Sequence, residues 1–90
     1  GVSHMTRMLA IEWAPFGIRV NAIAPGTTET ESRAPRLQIP EHRARMLSRI
    51  PLGRFGTAEE MAAAIRYLVS PQAAYITGQT LVLDGGLTAA

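Results

Sequence analysis

The 90-residue chain contains neither cysteine nor lysine. Without thiols there is no disulfide, no thiolate metal site and no cysteine nucleophile. Without an ammonium side chain, any chemistry that needs one must draw it from outside these residues. Hydrophobic residues make up 47% of the chain, yet none of their runs approaches the ~18 residues of a membrane span, so no transmembrane helix is expected. The opening GVSHMT lacks the basic-then-apolar order of a signal peptide, and a cytoplasmic location is the expectation. A chain this short suits one small domain with a thin core. Charge is also scarce: nine arginines face seven acids, for a net +2. Six of the arginines (33, 36, 43, 45, 49 and 54) cluster, but a nucleic-acid surface usually brings more net charge and a recognisable module. No nucleic-acid partner is expected, and the cluster reads as a solvated or phosphate-facing loop.

What is present alternates between helix and strand. Val2, Met5, Leu9, Trp13 and Phe16 recur at spacings of three and four, which predicts a helix over 1–14. Pro15 and Gly17 close it. IRVNAIA predicts a strand over 18–24, apolar on both faces as in a parallel sheet covered by helices, ended by Pro25 and by Gly26, which permits positive φ. Residues 27–50 read as a long loop with one short helix over 41–50, its Met46, Leu47 and Ile50 turned inward. Thr57 and Glu60 make a capping box for a helix over 58–70, and QTLVLD predicts a strand over 79–84. Helix, strand, loop, helix, strand is a βαβ unit, so the two strands should be parallel neighbours. Two strands leave unpaired edges, so the unit reads as part of a larger sheet.

Ligands of open α/β sheets bind beyond the carboxyl ends of the strands. Pro25-Gly26-Thr27-Thr28-Glu29-Thr30 sits at such an end, with glycine for close approach and with loop amides and hydroxyls for hydrogen bonding. On pattern alone, a plain strand terminator followed by solubilising threonines is an equal reading.

EWAPFGIRVNAIAPG and PLGRFGTAEEMAAAIRYLVSPQAAYITGQTLVLDGG, in this order and spacing, resemble the C-terminal third of a short-chain dehydrogenase/reductase, and the likeness spans nearly the whole chain. The resemblance implies an α/β fold, with this chain as the last two parallel strands and flanking helices of a Rossmann-type doubly wound sheet that binds NAD or NADP. It implies cofactor contacts at Pro25 and Gly26 against the nicotinamide, at the Thr28 backbone on the carboxamide, and at the Thr30 hydroxyl on the carboxamide or pyrophosphate. Residues 31–50 would cover the substrate, a carbonyl or alcohol or an enoyl or 3-oxoacyl compound, acyl-carrier or CoA-linked ones included. Homodimers or homotetramers are implied as well.

No catalytic residue is expected within the chain. The family's serine and Tyr-x-x-x-Lys pair would lie upstream, and four residues beyond Tyr67 and Tyr75 stand Pro71 and Gln79. The 90 residues are therefore expected to be inactive alone; the alternative is a non-catalytic module that docks onto reductase subunits through its last helix and strand. His4 and His42 read as surface or packing residues, and no spacing suggests a metal site. Asn21 reads as a structural hydrogen-bonding residue, and Asp84 as a cap or subunit contact.

Overall fold

The computed structural model describes residues 1–89. Helix α1 spans Val2–Trp13 and passes into a 3-10 turn over Ala14–Phe16, and Gly17, at φ 73°, closes it in the left-handed region. Strand β1 follows at Ala22–Pro25, helix α2 at Pro40–Ser48, helix α3 at Ala58–Leu68 and strand β2 at Thr80–Leu83. The strands pair in parallel, Ala22 opposite Thr80 through Pro25 opposite Leu83. Both α1 and α3 pack against β1.

Strand β1 begins four residues later than the apolar pattern of 18–24 suggests. Residues 20 and 21 are bonded instead to the turn that enters β2. Val20 donates to the Thr77 hydroxyl at 3.0 Å, the Gly78 N–H donates to the Val20 carbonyl at 2.8 Å, and Asn21 spans the gap with Nδ2 on the Ile76 carbonyl and Oδ1 accepting from the Gln79 N–H. Side chains thus supply what a regular ladder would have supplied. Strand β2 is shorter than 79–84, with Gln79 and Asp84 flanking it, and α3 gives way after Leu68 to a turn in which Ser70 bonds the Tyr67 carbonyl. The 27–50 region is not a plain loop with one helix, because Glu31–Arg33 and Pro35–Gln38 wind into 3-10 turns before α2.

Burial departs further from the pattern. The large apolar stripe of α1 is open, with Val2 66% and Phe16 75% exposed, while Thr6 and Ala10 are the buried residues of that helix. The Thr6 hydroxyl is satisfied by the Val2 carbonyl at 2.8 Å. The strands are not buried on both faces either: Leu81 and Val82 are exposed. A two-stranded sheet has too little material to cover both of its faces. The radius of gyration is 15.8 Å, where a compact 90-residue domain would have about 12 Å, so the arrangement is extended.

Candidate functional site

Most of the irregular hydrogen bonding gathers beyond the carboxyl ends of β1 and β2. Pro25 is the last ladder residue of β1, and the Gly26 N–H extends the pairing by donating to the Leu83 carbonyl at 2.8 Å. Gly26 does not adopt the positive φ that its position after proline suggested. Glycine is needed there for space: a Cβ would stand 3.0 Å from both Cα and Cβ of Asp84. Asp84 is fixed at that spot because its carboxylate accepts from the Thr88 hydroxyl at 2.8 Å, the Thr88 N–H at 3.0 Å and the Gly86 N–H at 3.0 Å. These bonds, the Thr88 hydroxyl foremost, hold its carboxyl below the usual range.

The next residues run beside a third segment. Thr28 lies in a parallel bridge with Gly56, the Gly56 N–H donates to the Thr27 carbonyl at 3.1 Å, and the Glu29 N–H donates to the Gly56 carbonyl at 2.7 Å. The Thr28 carbonyl accepts from the Ser32 N–H at 2.9 Å, while the Thr28 N–H has only a 3.4 Å contact with the Glu31 carboxylate. Thr30 is exposed, and its hydroxyl has no hydrogen-bond partner among the described residues. A weakly held amide and a free hydroxyl two residues apart suit a carboxamide or a phosphate oxygen, provided Glu31 yields the Thr28 N–H.

A cavity of about 600 Å³ opens alongside, between the segment over 49–61 and the end of β2. Ile50, Arg54, Glu60, Met61, Leu83 and Asp84 are among its walls, and Thr27 is the one residue of 25–30 that lines it. Pro25, Gly26, Thr28 and Thr30 are thus gathered at the strand end but do not face this cavity.

The pair that organises the neighbouring segment was not singled out from the sequence. Arg54 places both guanidinium nitrogens 2.8 Å from the two Glu60 carboxylate oxygens and donates to the Phe55 carbonyl at 3.1 Å. Glu60 also closes the capping box of α3: its carboxylate accepts from the Thr57 N–H at 3.0 Å, while its own N–H donates to the Thr57 hydroxyl at 3.1 Å. The Arg54 bond, then the Thr57 backbone bond, lower the Glu60 pKa to about 2. The signal available was the capping box with an arginine six residues before its glutamate, too far along the chain to count as a local pair.

Elsewhere the chemistry is sparse. His4, His42, Tyr67 and Tyr75 are exposed, and none has a side-chain hydrogen bond among the described residues. No group of three metal-ligating side chains occurs among the described residues, and no helix there is long and apolar enough to cross a membrane. Among the described residues, the Asn21 side chain bonds only backbone groups.

Residues 1–88 match the family model described as enoyl-(acyl carrier protein) reductase. Over 88 residues the chain is 51% identical to glucose 1-dehydrogenase 2 of Bacillus subtilis, covering 98% of this chain and 34% of the relative. A solved structure from Agrobacterium tumefaciens with bound NADP, named provisionally a 2-deoxy-d-gluconate 3-dehydrogenase, superposes with a TM-score of 0.92 at 43% identity, over 100% of this chain and 37% of that one. A 4-hydroxyisoleucine dehydrogenase complexed with NADH gives a TM-score of 0.91 at 31% identity, over 99% and 37%. The chain thus spans about a third of the length of the curated relatives it matches. It belongs to the short-chain dehydrogenase/reductase family, and its fold is a partial Rossmann-type α/β arrangement.

Proposed function

We propose that this chain supplies the C-terminal portion of an NAD(P)-dependent oxidoreductase acting on a carbonyl or alcohol, or on an enoyl or 3-oxoacyl compound. The cofactor, NAD or NADP, would lie against Pro25 and Gly26, with the Thr28 backbone holding the carboxamide and the Thr30 hydroxyl reaching the carboxamide or pyrophosphate. Bound there, it supplies the hydride acceptor or donor. The observation that carries the reading is the strand-end loop itself, whose Thr28 N–H is only loosely engaged and whose Thr30 hydroxyl has no partner among the described residues. The NADP and NADH held by the two solved relatives support it. The chain's own role is to orient the nicotinamide. The proton is left to groups outside it, because the 90 residues contain no lysine to lower the pKa of a phenol.

The test is a chimera in which this chain follows the upstream two thirds of the B. subtilis relative. The chimera should bind nicotinamide dinucleotide and transfer hydride from glucose to its oxidised form, read as a rise in reduced-nicotinamide absorbance, whereas the 90 residues alone should give no turnover. A folded chimera that binds no nicotinamide dinucleotide would overturn the reading. Turnover by the 90 residues alone would overturn the inactivity.

A second reading, a docking module that joins reductase subunits through α3 and β2 in a dimer or tetramer, is favoured by the exposure of Ile65 and Tyr67 on α3, of Val69 at its C-terminal cap and of Val82 on β2.

A further inference from the structure

Gly56 supplies the two backbone hydrogen bonds that tie Thr27–Glu29 to a segment distant in sequence. What fixes Gly56 therefore fixes the loop. On one side Phe55 is buried, with the Arg43 guanidinium 5.0 Å from its ring centre. On the other, Arg54 holds the Phe55 carbonyl and, with the same Nη1 plus Nη2, the Glu60 carboxylate in the first turn of α3. Connection therefore runs from a helix start to the Phe55-Gly56 peptide and on to the backbone of Thr28.

The pair is half in solvent, with the two side chains 54% and 46% exposed. An exposed ion pair contributes little to stability. Its geometry is another matter. A planar fork on both carboxylate oxygens sets an orientation that a point charge would not. Glu60 cannot swing to follow a moving arginine, because the same carboxylate also accepts from the Thr57 N–H.

We propose that Arg54 and Glu60 are positioning residues for the nicotinamide end of the cofactor: their fork sets Phe55-Gly56, and the Gly56 hydrogen bonds set the direction of the Thr28 N–H. This rests on the reading above, that the Thr28 backbone meets the carboxamide. Neither residue needs to touch the cofactor, and the effect is confined to the nicotinamide end.

The discriminating probe is ADP-ribose, or its 2′-phosphate if the chimera prefers NADPH, because it lacks the nicotinamide. In the chimera, Arg54→Met should weaken reduced nicotinamide dinucleotide by about tenfold, a loss in keeping with small misplacements of positioning groups, and should leave ADP-ribose affinity unchanged. Arg54→Lys, which keeps the charge and loses the fork, should fail to restore binding. Equal weakening of both ligands, or no change in either, overturns the inference. If Arg54→Met does not fold, Glu60→Gln, which keeps an acceptor for Thr57, carries the same comparison. Should the unsubstituted chimera bind ADP-ribose but no nicotinamide dinucleotide, the functional reading falls and takes this inference with it. Normal binding by the parent with unselective variants removes this inference alone.

Discussion

The end of the molecule beyond the strands and the flank formed by α1, α3 and the strand faces are built on opposite principles. At the strand end, directional bonds tie segments far apart in sequence, Gly26 to Leu83 and Gly56 to Thr27 and Glu29, and fix shorter turns, Arg54 to Glu60 and Asp84 to Thr88. On the flank, large apolar side chains such as Ile11, Phe16, Val69 and Val82 stand exposed. Directional bonds need only two partners and can be complete within a partial sheet. Hydrophobic burial needs area from many elements, so a partial sheet forfeits it first.

The contrast breaks most easily at Phe55, the large side chain at the centre of the tied end. Phe55→Ala should cost about 3 kcal/mol in urea unfolding, the scale of a buried aromatic truncation. A cost below about 1 kcal/mol would show that the hydrogen bonds hold the segment without it.

A smaller effect comes from acid. Glu60 has its pKa lowered from 4.5 to about 2, so the stability its charged form contributes is present above 4.5 and disappears as pH falls from there towards 2. The difference in unfolding midpoint between the parent and Glu60→Gln should shrink across that window. A difference constant with pH would mean that the bond to Arg54 does not persist in solution. The pair is half-exposed, so its size is modest.

The smallest stability change is expected on the flank. Ile65→Ser combined with Val69→Ser should move stability by no more than about 0.5 kcal/mol per site. The same substitutions should reduce self-association in size-exclusion chromatography, because these side chains are 49% and 73% exposed. Unchanged association would locate any subunit contact away from α3 and remove the ground for the docking reading.

Much of the element order was legible from short-range signals. Spacings of three and four predict α1, and Thr57 with Glu60 announces the start of α3 three residues before its partner. The strands were harder to bound. The apolar run of 18–24 is real, but Asn21 and the Gly78 turn take over its first half, and nothing local reveals a side chain that replaces a ladder bond. The same limit applied at the candidate site. Pro25 and Gly26 mark a strand end, whereas the reason for Gly26 lies 58 residues away, at Asp84.

By itself, the sequence determined the secondary-structure types, the parallel βαβ order, the family to which its motifs belong, and the lack of any lysine for proton chemistry. Those follow from side-chain period, caps and residue identity, which act within a few positions. Only the tertiary structure decided which residues of α1 turn inward, that Arg54 grips Glu60, and that Gly56 runs beside Thr28. The packing of α1 and the Gly56–Thr28 pairing depend on elements meeting across tens of residues, and the Arg54–Glu60 fork on how the chain between them turns, where the deciding quantity is available space and an unsatisfied hydrogen-bonding group, and neither is written in a local pattern.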